Sequence, residues 1–186
     1  YDAEEGLFYR DSNYLGKLVD GKKVFWSRGN GWVFAGLALT MDELPEDSPE
    51  HAYLLNIYLK MADTLVRTQT AQGHWSMSLL NAENYPTPET SGTSFFTYGL
   101  AWGINRGILT DERYRRAAFK GWAAAVSHVT ADGMLGYVQP IGAAPGEAVH
   151  LDFGGGNAVR EVLERLAAHR VGVPVQALGA VETGRP

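Results

Sequence analysis

Two stretches of this chain are apolar nearly all the way round a helix, and nothing else in the sequence limits its fold so strongly. Val33-Phe34-Ala35-Gly36-Leu37-Ala38-Leu39 is one, and Phe95-Phe96-Thr97-Tyr98-Gly99-Leu100-Ala101-Trp102-Gly103-Ile104 is the other. A helix with no polar face needs neighbours on most sides. Its small residues (Ala35, Gly36, Ala38; Gly99, Ala101, Gly103) let those neighbours come close. A helical pattern of a second kind follows each stretch. After the first, Leu54, Tyr58, Met61 and Leu65 form a stripe, with Asn56, Lys60, Asp63 and Arg67 off it. Ser48 is the expected N-cap there, with Pro49 at the first helical position. After the second, Tyr114, Ala118, Trp122 and Val126 form the stripe and Arg115, Arg116 and Lys120 the wet face. Thr110 is the expected cap, with Asp111 and Glu112 in the first turn.

The same plan occurs three times, at a period of roughly sixty residues. Glu5-Gly6-Leu7-Phe8-Tyr9 leads through a loop to Gly29-Asn30-Gly31-Trp32 and an apolar helix. Gln72-Gly73-His74-Trp75-Ser76 leads to Glu89-Thr90-Ser91-Gly92 and the next. Asp132-Gly133-Met134-Leu135-Gly136-Tyr137 leads to Phe153-Gly154-Gly155-Gly156 and a helix expected over 157–168, whose apolar face is Val159, Val162, Leu163 and Leu166. Inner apolar helices shielded by outer amphipathic ones make an all-α, α/α toroid. About three helical hairpins are expected, an arc of a ring that closes with about six. Short strands at one rim are expected over 7–9, 75–79 and 135–139. The domain is expected to span 1–170, with a loose tail over 171–186.

The repeat also places function. The loop before each inner helix falls at one end of the ring, so Arg28, Asn30, Trp32, Glu89 and Asp152 are expected to converge near its axis. The richest of these loops is Lys23-Val24-Phe25-Trp26-Ser27-Arg28-Gly29-Asn30-Gly31-Trp32, ahead of a helix expected over 33–44. Its glycines allow positive φ or close approach. A helix start offers free N–H groups and partial positive charge. Arg28 adds a planar donor fork suited to a carboxylate, and Trp26 and Trp32 add flat faces suited to a sugar ring. The loop reads as a site for an anionic, carbohydrate-like ligand. The alternative is a buried loop whose Trp rings fill core and whose Arg pairs with a local acid.

Other candidates carry two readings each. Glu89 is a helix cap or a substrate contact. Asp11 stabilises a turn or does chemistry. His74 and Trp75 line the same mouth or, for Trp75, fill core. The 5 histidines are scattered, His51 and His128 fall in outer-helix patterns as surface residues, and no metal site is expected. No phosphate loop, nucleotide fingerprint or nucleophile elbow is present, and the catalytic residue stays unknown.

Composition narrows the classes. A chain of 186 residues, 45% hydrophobic and 20% charged, suits a globular domain. A net charge of −5 without a basic cluster argues against nucleic acid. No run is long and apolar enough to be a membrane span. Cysteine is absent, which excludes disulfides and thiolate zinc and leaves cytoplasm and periplasm both open. The chain starts without Met and mid-pattern, and reads as a piece of a longer protein.

Phe25-Trp26-Ser27-Arg28-Gly29-Asn30-Gly31-Trp32, the upstream Gly6-Leu7-Phe8-Tyr9, and Glu89-Thr90-Ser91-Gly92-Thr93 with Tyr98-Gly99-Leu100-Ala101-Trp102-Gly103-Ile104-Asn105 resemble the unsaturated rhamnogalacturonyl hydrolases of glycoside hydrolase family 105, close to the unsaturated glucuronyl hydrolases of family 88. The resemblance covers residues 1–145. It implies a six-hairpin α/α barrel that removes a 4,5-unsaturated uronic acid from lyase-made pectin fragments. In that family an aspartic acid protonates the enol-ether double bond, water adds at C5, and the hemiketal opens, with no metal or organic cofactor. Carried over, Trp26 and Arg28 are sugar-stacking and carboxylate-binding residues and Trp32 a pocket wall. Arg10 stands where some members carry His. The family's catalytic Asp falls upstream of this chain, so the expected partner is an acidic oligosaccharide and the arc by itself is expected to lack the proton donor. A half-ring that binds acidic glycans without turnover, or self-associates, is the competing expectation. Phe153-Gly154-Gly155-Gly156-Asn157-Ala158-Val159-Arg160 is more polar than the apolar run that usually closes the family's last inner helix.

Overall fold

The computed structural model describes residues 1–139. Within them the chain makes two helical hairpins: α1 (Ser27–Glu43) with α2 (Pro49–Thr68), and α3 (Thr90–Asn105) with α4 (Glu112–Ser127). The inner helices α1 and α3 pack along each other, and α2 and α4 lie outside them. Every residue of α3 from Thr90 to Gly103 is buried, as its all-round apolarity requires. The amphipathic α2 buries Tyr58, Met61, Ala62 and Leu65. Its start is set by Ser48, whose side chain accepts from the His51 N–H, and by Pro49 behind it. The expected third hairpin, Asp152 and the 170/171 boundary lie outside the described residues.

Helix α1 begins six residues earlier than expected. Arg28, Gly29, Asn30 and Gly31 are its first turns and not a loop before it. Glycine ordinarily argues against a helix interior, but here it serves packing. A Cβ on Gly31 would lie 3.0 Å from the Phe95 Cβ, and one on Gly92 would meet the Ser27 hydroxyl. The two inner helices therefore touch backbone to backbone near their starts. Further along, Phe34 stacks on Tyr58 at 4.7 Å, and the Tyr58 hydroxyl donates to the Gly99 carbonyl at 2.8 Å.

The rim differs from expectation in detail. The runs 7–9, 75–79 and 135–139 form isolated bridges, Asp2 with Leu7, Trp26 with Ser78, Ser76 with Pro88 and Val129 with Leu135, and no ladder. The paired strands are β1 (Leu18–Val19) and β2 (Lys22–Lys23). Asp20 and Gly21 turn between them with φ of 52° and 75°, as an Asp-Gly hairpin turn requires. Two of the bridges share the 76–78 run, and so tie the start of α1 to the start of α3. At α4 the cap is Asp111, which accepts from the Arg113 N–H, in place of Thr110. Asp reaches the second N–H of a helix from the N-cap position, and one residue earlier that reach is lost.

Candidate active site

The starts of α1 and α3 lie side by side, and their first turns hold the polar groups. Glu89 caps α3 and has no exposed surface. Its carboxylate accepts from the Ser91 N–H at 3.1 Å, the Gly92 N–H at 2.6 Å and the Gln139 N–H at 3.2 Å. The Ser91 hydroxyl also donates to Oε1. A buried anion is tolerable here because it meets these donors and the positive end of α3. Thus Glu89 is the cap, one of its two expected roles.

Arg28, in the first turn of α1, points its guanidinium at this cap. Nε donates to the Ser91 hydroxyl at 2.9 Å. Nη2 stands 3.9 Å from Glu89 Oε1, inside ion-pairing range but beyond a hydrogen bond. Nη2 is buried and has no hydrogen-bond partner among the described residues. The side chain as a whole keeps 23% of its surface open.

Around the pair stand the tryptophans. Trp26 is the residue before α1, half-buried, and its indole nitrogen has no partner among the described residues. The Arg10 guanidinium lies over its ring at 5.2 Å, next to Asp11 at 3.5 Å. Trp32 is 55% exposed and rests on Phe95 at 4.4 Å. Arg28, Trp26, Arg10 and Glu89 are thus gathered at one rim, and Trp32 lies one turn further along α1.

Three expected site residues have other work. Trp75 is fully buried, donates its indole N–H to the Leu65 carbonyl at 2.9 Å, and meets Phe96 edge-on at 5.3 Å. It fills core, the second of its expected roles, and has no face to give a ligand. Asn30 is buried too. It accepts from the Phe8 N–H at 2.8 Å and donates to the Phe8 and Trp26 carbonyls, both at 3.0 Å. It clips the N-terminal segment to α1, an irregular contact that no helical pattern predicts. Asp11 caps a short turn at Ser12–Tyr14 through the Asn13 N–H and is exposed.

The sequence reading missed Ser91, Gln139 and His128. Ser91 lies inside a Ser/Thr run at a helix start, where a hydroxyl signals capping and not a partner on another helix. His128 is no surface residue. It ends α4, bonds Thr90 Oγ1 through Nδ1 at 2.9 Å, and lies 6.4 Å from the His74 ring. Burial lowers the pKa of both imidazoles, and His74 lowers that of His128 further. Among the described residues no group of three or more His, Cys, Asp or Glu is placed to hold a metal, and no helix is long and apolar enough to cross a membrane.

A model of glycosyl hydrolase family 88 matches residues 1–161. The chain belongs to that family. An unsaturated 3S-rhamnoglycuronyl hydrolase of Alteromonas sp. (strain LOR) is 46% identical over 146 residues, which are 78% of this chain and 35% of that protein. Two solved structures superpose well, and each covers 92% of this chain. A chain titled a polysaccharide lyase does so at 40% identity, TM-score 0.82 and 50% of its own length. A family 88 glycosyl hydrolase from Bacteroides vulgatus does so at 38% identity, TM-score 0.81 and 51% of its length. This family 88 chain therefore spans about a third of that curated relative and half of those solved structures. The neighbours are six-hairpin α/α barrels, so the two hairpins described here are consecutive parts of such a ring.

Proposed function

We propose that this chain supplies the carboxylate-gripping wall of a hydrolase that removes an unsaturated uronic acid from acidic oligosaccharides. One observation carries the reading: Arg28 is tethered at Nε, yet its Nη2 has no hydrogen-bond partner among the described residues. A buried donor left unpaired costs about 1–3 kcal/mol, and a substrate carboxylate at the rim would remove that cost. Trp26 and Trp32 give the sugar apolar surface beside the charge. In the reaction, a proton goes to C4 of the C4=C5 double bond and water oxygen to C5. The resulting hemiketal opens, and the linked sugar leaves. The proton donor is an aspartic acid supplied by another part of the protein, and Arg28 holds the uronate so that the double bond meets it. No group in this scheme is a metal or an organic cofactor. The relative's name, an unsaturated 3S-rhamnoglycuronyl hydrolase, supports rhamnose-linked unsaturated uronides as the substrate class.

The reaction destroys the conjugated double bond, so ultraviolet absorbance of a lyase-made unsaturated disaccharide should fall when full-length protein is added. Stable absorbance with folded protein would overturn the reading, and a rise on intact polysaccharide would indicate elimination in its place. The exposed face of α1, with Trp32 and Leu39 outward, favours a second reading, a half-ring that binds acidic glycan or itself without turnover. That reading predicts uronide affinity or self-association in size exclusion, with no loss of absorbance.

A further inference from the structure

Arg28 and Glu89 carry opposite charges on adjacent helix starts, yet they do not form the bidentate pair such residues ordinarily make. Their nearest atoms, Nη2 and Oε1, are 3.9 Å apart. The Ser91 hydroxyl, in a residue 2% exposed, stands between them. It accepts from Arg28 Nε at 2.9 Å and donates to Glu89 Oε1. The N–H groups of Ser91 and Gln139 also meet Oε1, while the Gly92 N–H meets Oε2, so Oε1, the oxygen nearest Arg28, already has more donors than its lone-pair directions, about two, can take. The guanidinium is drawn to a buried negative charge whose facing oxygen has no room left to bind it.

We propose that Ser91 is a positioning residue for uronate recognition. Wedged between Glu89 and Arg28, its hydroxyl tethers Nε and stops Glu89 from consuming the guanidinium, so the Nη groups stay available to a ligand carboxylate. The position demands a group that accepts and donates at once, which a hydroxyl does and a methyl does not. Without it, Oε1 loses one of its three donors and the wedge between the two side chains goes, and a shift of about 1 Å brings Nη2 into hydrogen-bond range of Glu89. A ligand carboxylate then has to compete with Glu89 for Arg28. This rests on the reading of Arg28 as the carboxylate grip, and the test separates the two.

The measurement is calorimetric affinity of the full-length protein for an unsaturated glucuronyl disaccharide and for the same disaccharide as its methyl ester. Ser91→Ala deletes one atom and suits a helix, so the fold is retained. It should weaken the acid about tenfold, or about 1.4 kcal/mol, and leave the ester unchanged, with turnover lost through KM and not kcat. Adding Glu89→Gln to Ser91→Ala replaces the competing anion by a neutral amide and should recover part of the lost affinity. A Ser91 with only a structural role predicts that the second change makes binding worse. If Arg28→Ala weakens the acid but Ser91→Ala does not, or weakens acid and ester alike, the proposal for Ser91 is overturned while the grip stands. If Arg28→Ala leaves the acid's affinity unchanged, the grip falls and this proposal falls with it.

Discussion

Arg28 has one nitrogen tied and another without a partner among the described residues, and that asymmetry fixes what its loss does. Arg28→Ala removes a charge-assisted contact worth about 1.5–3 kcal/mol to a uronate, and titration with an unsaturated glucuronyl disaccharide reads it directly. Unchanged affinity with a lowered melting temperature would return Arg28 to a core-loop role, neutralising Glu89 and nothing more. At this scale the sequence was legible where side-chain chemistry is local. Glu89 before an inner helix reads as a cap, and it is one. It was not legible where the partner comes from another helix. Trp75, Asn30 and Ser91 look alike on paper, polar or aromatic residues outside any apolar stripe. Packing against α2, α3 and α4 sends Trp75 into the core, the run around Phe8 takes up Asn30, and the approach of α1 to α3 brings Ser91 onto Arg28.

The elements carry two further predictions. Gly31 faces the Phe95 Cβ at a 3.0 Å approach for any added methyl. Gly31→Ala therefore gains helix propensity but forces α1 and α3 apart, and a net loss of about 1–3 kcal/mol is expected in denaturant unfolding. A stabilised variant would mean the helices have slack. This contact is also why the start of α1 was misplaced in sequence: glycine punctuation and glycine packing look identical without the partner helix. The second prediction concerns pH. His128 bonds Thr90 and so holds the end of α4 against the start of α3, with the His74 ring beside it, and burial keeps both pKa values below the ordinary 6.5. The unfolded chain then binds protons first as pH falls. Stability is full above about pH 6.5 and declines below it toward the folded-state pKa values. Melting temperature should drop between about pH 7.5 and about pH 5, and His128→Gln should flatten that slope. A wild-type curve level across the window would refute the coupling.

For the molecule as a whole, the toroid was readable because an all-round apolar helix has few ways to hide, and a repeat of such helices has fewer still. The ring's curvature and the trace of the rim were not readable, since isolated bridges leave no period-2 signature. Among the described residues, the hairpins also leave α1 with an uncovered side. Trp32 and Leu39 are 55% and 42% exposed, while Leu37, two residues away, is 8% exposed. In this 186-residue chain alone, Leu39→Ala should alter stability by no more than about 0.5 kcal/mol. Where a neighbouring hairpin covers α1, the same change should cost about 2–5 kcal/mol. Chemical denaturation of both forms makes the comparison, and equal costs would mean that no hairpin lies on that side.

The touching backbones of α1 and α3 also have a bearing on redesign. With glycine on both sides of the seam, the guanidinium and its acidic support ride on what is mechanically one beam. Neither can be re-aimed by itself. A new substrate preference is better sought in the more open run over residues 82–87, which lies between the bridged positions that tie the beam's end and is not itself part of them.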